Sequence, residues 1–580
     1  MSSESKLQTF LDWSVNNGSR IDERLQFKWT SSAGVTCYAQ KTIGIETKPL
    51  ISVPKKLLIT NELARKHFTF MDKQLPTSNL NALTQLYLSH LKFNLDTSDK
   101  ERDFFQPYLD ILPLHMNQPY FWSSNELELL HGTDIFLKIK QNFSSLLEEF
   151  TELATILHID VEDIPTSETV FTYIETHLNN LHSGNIQWNS FMAYLWSSSI
   201  FTSRAFPQLL IEPTIAREES SLAFLYPVVD LLNHKNDTNV KWEFEKDEER
   251  ADFIFNETLK ANDELFNNYG DKSKEELLLG YGFIPEDINP YDTSSLTLRL
   301  DENHISQARL LAKLPDVNLA ADNCVQFSLS IKEPVPDSLF RLFGYLSKLK
   351  SENTLTSRSI LEGSDELLTI LTSKLDQLKN KGAISNSSKN CSPEIIRMVK
   401  NYFNSQRRIF QASIDFLPRF QKTILKKCAK ECLSFKTIYK MDKRFSNSLL
   451  LSFGVVNFED LIKKGYLKQA LLLWIVRISN KDEYKDDNKF LNSSFHFLGI
   501  AECFQDVSSS IVIEKKDVME YMSFYKSLFP MLGEKIPEVF DKGNWGLKQF
   551  IIADTVLDRL VWIRKLNQEP IFLKKQHLQL

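Results

Sequence analysis

From Leu222 to Phe283 the sequence leaves the helical spacing that dominates the chain, and this interruption narrows the folds open to it. Val240, Trp242 and Phe244 alternate with polar residues, the period of two expected of a half-buried strand. The charged run EKDEERAD at 245–252 then leads into Phe253-Ile254-Phe255. Two apolar arms joined by a charged turn predict a hairpin. A wholly helical repeat protein has no place for such a hairpin, and residues 300–580 show no repeat period.

The hairpin region sits between two helical stretches. The N-terminus reads as an amphipathic helix with Leu7, Phe10, Leu11 and Val15 on one face, stopped at Asn16-Asn17-Gly18. Residues 31–60 read as short strands and turns, ending in Leu50-Ile51-Ser52-Val53-Pro54. From Asn61 to about Pro207 the pattern is mostly helical, as in 80–91 and 136–157. After about residue 300 it is leucine-rich and helical nearly to the end, with polar loops expected at 380–393 and 480–488. A chain of 580 residues holds about two to four folding units. The reading is an α+β fold: a strand-bearing first half with a helical insert, then an all-helical second half.

Composition removes several functions. The net charge is -7, so no global basic footprint marks a nucleic-acid binder. No stretch approaches the roughly 20 apolar residues needed to span a bilayer, and no signal peptide heads the sequence. The six cysteines are scattered, and Cys428 and Cys432, four apart on an expected helix, have no second pair to complete a zinc site. The expectation is a protein with reduced cysteines, in the cytoplasm or the nucleus, with no metal.

Two clusters carry the chemistry. The first is Tyr226-Pro227-Val228-Val229-Asp230-Leu231-Leu232-Asn233-His234, an apolar strand running into polar side chains; alone, Asn233-His234 reads equally as a turn or helix cap. The second begins at Glu264 and runs through Asn267-Asn268-Tyr269-Gly270 to Tyr281-Gly282-Phe283. Within it Ser273 and Glu276 form a capping box, so a strand is expected to end at Tyr269 and a helix to start after Ser273. Two Tyr-Gly pairs place phenols beside backbone that other groups can approach closely.

In this order, strand–Asn-His, hairpin, strand–Tyr-Gly, helix, Tyr-Gly-Phe, the clusters resemble the C-terminal half of a SET domain, of the class similar to the Rubisco large-subunit methyltransferase. Pro107-Tyr108-Leu109 with Leu112-Pro113, then Pro119, Trp122, Glu126-Leu127 and Gly132-Thr133, look like that class's helical insert. Trp196 with Ser203-Arg204-Ala205-Phe206 looks like its arginine-bearing segment. The stretches LDILP at 109–113 and LYPVVDLLNH are most similar to fungal ribosomal-protein and elongation-factor lysine methyltransferases.

The resemblance implies a pseudoknotted SET β-fold over 1–300, with the insert at about 61–207, and a helical substrate-binding domain over 301–580. It implies an S-adenosylmethionine-dependent protein-lysine N-methyltransferase, a monomer, acting on elongation factor 1-alpha or a ribosomal protein, with no direct nucleic-acid partner. Tyr269 would be the catalytic tyrosine and would also touch the cofactor. Arg204 would take the cofactor's carboxylate, a task suited to the guanidinium fork. Asn233 and His234 would hold the cofactor, while Tyr281 and Phe283 would line the lysine channel or the adenine side of the cofactor.

One stretch departs from the family pattern. The first cofactor loop of the family is Gly-x-Gly, and here it reads Ala33-Gly34-Val35-Thr36, with one glycine. Ala33, Gly34 and Val35 are the matching cofactor positions. The departure leaves open a catalytically inactive SET fold that only binds partners. Separately, the resemblance to this class leaves open a histidine acceptor, since the shape of the channel chooses the acceptor.

Overall fold

The computed structural model describes residues 2–30, 34–45, 48–70, 78–95, 99–161, 163–312, 319–320, 324–382, 391–484 and 495–573. Contacts divide the chain into two compact units: residues 1–293 with 381–405, and residues 294–380 with 406–580.

The first unit opens with α1 (Ser3–Asn16), capped by Ser2, whose side chain accepts from the Ser5 amide. Its buried stripe is Leu7, Phe10 and Ser14, at helical spacings of three and four. Val15, expected on that face, lies 52% exposed because it sits a further 100° around the helix. Gly18, at φ +103°, then releases the chain into β1 (Arg20–Ile21).

The strands form small sheets. Strands β2 (Leu25–Thr30) and β3 (Gly34–Ala39) pair as an antiparallel hairpin. Strand β4 (Ile51–Pro54) lies between β1 and β8 (Arg250–Phe255), and β7 (Val240–Glu245) closes that sheet in the order β1-β4-β8-β7. The hairpin expected from the alternation at 240–255 is β7–β8, with Trp242 opposite Phe253.

Between the strands run the helices α2 (Asn61–His67), α3 (Ala82–Phe93), α4 (Lys100–Ile111), α5 (Ser124–Glu128), α6 (Asp134–Ile156), α7 (Val170–Ser183) and α8 (Phe191–Arg204). Helix α8 is buried from Phe191 through Phe201, apolar or small on every side, as a helix at the centre of a core must be. It runs directly into β5 (Ala205–Pro207), which pairs with β6 (Ala223–Leu225). The capping box at Ser273 and Glu276 is present and starts α9 (Lys274–Tyr281).

Two strand expectations shift. The apolar run into Asp230 is strand only to Leu225; it becomes a 3-10 turn over Val229–Leu231, entered through Val228 at φ +76°. The stretch ending at Tyr269 is extended but not a ladder strand, with isolated pairings at Glu264 and Asn267. Its later amides go to side chains instead: Asn268 N donates to Asn267 Oδ1 and Tyr269 N to His234 Nδ1.

The second unit is mostly helical, and the all-helical expectation is corrected by two three-stranded sheets. One holds β9 (Thr293–Arg299), β10 (Leu319–Ala320) and β11 (Cys324–Ser330); the other holds β12 (Cys432–Ser434), β13 (Val561–Arg564) and β14 (Glu569–Leu573). In β11 Val325, Phe327 and Leu329 are buried, an alternation that the leucine-rich flanks conceal in the sequence. Cys428 follows the helix Pro393–Lys427 and Cys432 lies in β12 opposite Leu573, so the two are not on one helix. Helices Leu467–Ser479 and Leu547–Leu560 supply much of one core, around Trp474 and Phe550. Parts of the loops expected at 380–393 and 480–488 lie outside the described residues.

Candidate active site

The two motif clusters meet side by side. Asn267 N donates to Asn233 O at 2.8 Å, and Lys235 N donates to Asn267 O at 3.1 Å, a short parallel bridge that binds the Asn-His segment to the Tyr-Gly segment. The Asn233 amide donates to Glu264 Oε1 at 2.7 Å. Glu264 is paired through its backbone with Tyr38 of β3, and so ties Asn233 to the N-terminal hairpin.

Tyr269 is the centre of this arrangement. Its hydroxyl donates to Leu232 O at 2.7 Å, and its amide donates to His234 Nδ1 at 3.0 Å. The ring stacks on His234 at 4.9 Å and on Tyr281 at 4.7 Å, with Tyr281 edge-on to Phe283. Burial pushes the Tyr269 phenol up against the opposing pull of Arg204, and pushes Tyr281 up to about 12. Tyr269 is therefore a neutral phenol at physiological pH.

His234 is held as one tautomer. Nδ1 accepts from Tyr269 N, so the ring proton is on Nε2, which donates to Asn236 Oδ1 at 2.8 Å. Burial lowers its pKa, which keeps the ring neutral. Tyr281 ends α9, and Gly282 turns the chain at φ +76°. A Cβ at Gly282 would stand 2.8 Å from Gln118 N and 2.9 Å from Asn117 C, so only glycine fits.

Arg204 is the last residue of α8, and its guanidinium is fixed from one side. Nη1 donates to Asp230 O at 2.8 Å and lies 3.5 Å from Asp230 Oδ2. The Asp230 side chain is fully buried, whereas that of Arg204 remains 20% exposed. Tyr108, on α4, donates its hydroxyl to the same Asp230 oxygen at 2.7 Å.

The structure thus brings Arg204, Asn233, His234, Tyr269, Tyr281 and Phe283 into one connected group. Gly34, at φ +68°, and Val35, with its side chain buried, belong to β3 and join that group at one remove, through Tyr38 and Glu264. Ala33 lies outside the described residues. Asp230, Tyr108 and Glu264 had no assigned part in the sequence reading. A signal for Asp230 was present: a lone carboxylate inside the apolar run 226–232 must find a partner once buried.

Comparison with known proteins places the chain in a family. The SET domain model matches residues 38–270, and the EFM1 middle domain model matches residues 293–428. The protein-lysine N-methyltransferase EFM1 of Saccharomyces cerevisiae is 42% identical over 599 residues, covering 99% of each chain. The chain belongs to the SET-domain protein-lysine methyltransferases. It is an S-adenosylmethionine-dependent enzyme acting on a protein lysine. Ribosomal lysine N-methyltransferase 1 of the same yeast is 30% identical to the methyltransferase, covering 85% of this chain and 90% of its own length. A crystal structure of the SET domain of LSMT bound to lysine and AdoHcy shares the fold. Its TM-score is 0.50 at 16% identity, covering 72% of this chain and 92% of its own. Among the described residues, no helix is long and apolar enough to cross a membrane.

Proposed function

We propose that the methyltransferase modifies a lysine of a translation-machinery protein, elongation factor 1-alpha or a ribosomal protein, in the cytoplasm. The observation that carries this reading is the 42% identity to EFM1 along 99% of both chains, which extends beyond the catalytic segment into the mostly helical half. In this reading residues 1–300 form the SET domain, with its helical insert at about 61–207, and residues 301–580 engage the substrate protein.

The residues suit the cofactor's chemistry. S-adenosylmethionine has an anionic carboxylate, and Arg204 presents a part-exposed guanidinium held on a fully buried partner. Asn233, His234 and the backbone at Gly34 and Val35 complete the set that would hold it. When bound, the cofactor supplies a methyl group already activated by a positive sulfur. The protein's own work is alignment and deprotonation of the acceptor amine. An aqueous lysine has a pKa near 10.4 and is charged at neutral pH. The aromatic wall of Tyr269, Tyr281 and Phe283 would desolvate it and favour the neutral amine. The Tyr269 hydroxyl donates its proton to Leu232 O, so its oxygen lone pairs would face the reacting centre as acceptors. A neutral phenol cannot serve as a resting base, so the amine's proton would leave to water.

The test is incubation of the purified enzyme with labelled S-adenosylmethionine and extract from cells lacking it, followed by mass spectrometry of labelled bands. A single band of elongation factor 1-alpha or a ribosomal protein, carrying methyl-lysine, is the expected result. Labelling confined to proteins outside the translation machinery would overturn the substrate reading.

A further inference from the structure

Tyr108 belongs to α4, more than 90 residues before Arg204 in the chain, yet it touches the support on which Arg204 rests. Its side chain is fully buried, with the ring 5.8 Å from Phe10 of α1. Its hydroxyl donates to Asp230 Oδ2, the same oxygen that faces Arg204 Nη1. The other carboxylate oxygen, Asp230 Oδ1, has no hydrogen-bond partner among the described residues. The buried carboxylate therefore depends on two groups, one cation and one phenol.

We propose that Tyr108 is a positioning residue for cofactor binding: its hydroxyl keeps the Asp230 carboxylate ionised and aimed, and that carboxylate in turn orients Arg204. The proposal rests on the reading that Arg204 holds the cofactor's carboxylate. It makes the helical segment a working part of the cofactor site rather than packing around it.

The electrostatics give the proposal a measurable signature. Burial pushes the Asp230 carboxyl up to about 6, against the downward pulls of Arg204 and of the Tyr108 hydrogen bond. Removing the hydroxyl removes one of those pulls, so Asp230 takes up a proton at higher pH. A protonated Asp230 loses its charge interaction with Arg204, and the guanidinium is less firmly held. The groups facing Asp230 are Arg204 from α8, Tyr108 from α4 and Tyr269 from the Tyr-Gly segment. His234, stacked on Tyr269, also titrates on the acid side, but it does so equally in wild type and in a Tyr108 variant. The difference between the two proteins isolates Asp230.

The experiment is calorimetric titration of the full chain with S-adenosylmethionine from pH 5.5 to 8.5, using wild type, Tyr108→Phe, Asp230→Asn and Arg204→Ala. Tyr108→Phe should bind about 2-fold more weakly at pH 7 and roughly 8-fold more weakly at pH 5.5. It should recover toward wild type at pH 8.5, its midpoint moved up by about one pH unit. Asp230→Asn should bind weakly, with the Asp230-dependent part of the pH profile gone. Wild-type affinity in Tyr108→Phe at every pH, or a loss equal at every pH, would overturn the proposal, the latter marking a merely structural role. Unchanged affinity in Arg204→Ala would instead remove the underlying reading of Arg204, a separate failure. Should Tyr108→Phe not fold, Asp230→Asn decides: a wild-type pH profile there overturns the proposal.

Discussion

Replacing Tyr269 with phenylalanine removes one oxygen and keeps the ring, so its consequences separate chemistry from packing. The stacks on His234 at 4.9 Å and Tyr281 at 4.7 Å survive, as does the amide bond to His234 Nδ1. What disappears is the hydroxyl bond to Leu232 O at 2.7 Å, worth about 1 kcal/mol of stability. Turnover should suffer more. If the phenol oxygen orients the amine and polarises the methyl only as transfer proceeds, its loss costs about 100-fold in rate, or ~2.7 kcal/mol of barrier. Cofactor affinity should stay nearly unchanged, because the oxygen acts at the reacting centre. Single-turnover labelling gives the rate and calorimetry gives the affinity. Near wild-type turnover would remove Tyr269 from the mechanism. A rise in cofactor Kd as large as the fall in rate would make it a binding residue instead.

Two further substitutions test the scaffold around that tyrosine. Gly282→Ala forces a side chain into the left-handed region at φ +76° and within 2.8 Å of Gln118 N, and should destabilise the protein by about 2–4 kcal/mol. A loss below about 0.5 kcal/mol in denaturant unfolding would refute that packing argument. His234, its pKa lowered by burial, takes up a proton less readily folded than unfolded. Its contribution is therefore present above the unfolded value of about 6.5 and is lost as pH falls through the lower folded value. The stability difference between wild type and His234→Gln should shrink between pH 7.5 and 5; a difference constant with pH would show that His234 does not titrate there.

Much of this protein is written locally. The hairpin at 240–255 follows from its alternation, and α9 follows from the Ser273 and Glu276 capping box, because both depend on neighbours a few residues apart. The motif residues Arg204, Asn233, His234, Tyr269, Tyr281 and Phe283 were also legible as a resemblance, and they come together in space. Short strands were harder to read. Strand β12 pairs with β14 across more than 130 residues, and a three-residue strand has too little length for a period to show. Strand β11 does alternate, yet leucine-rich surroundings carry the stronger helical signal.

The sequence alone determined the strand-bearing first half with its 240–255 hairpin, the absence of a repeat and the candidate chemical groups, since these rest on local spacing and residue type. Only the tertiary structure decided what supports them. Whether Asp230 is exposed or buried, and whether its partner is Arg204, Tyr108 or water, depends on helices α4 and α8 converging on one 3-10 turn. Burial is what turns that aspartate from an ordinary surface acid into a group that needs two partners, and burial is a property of the folded chain.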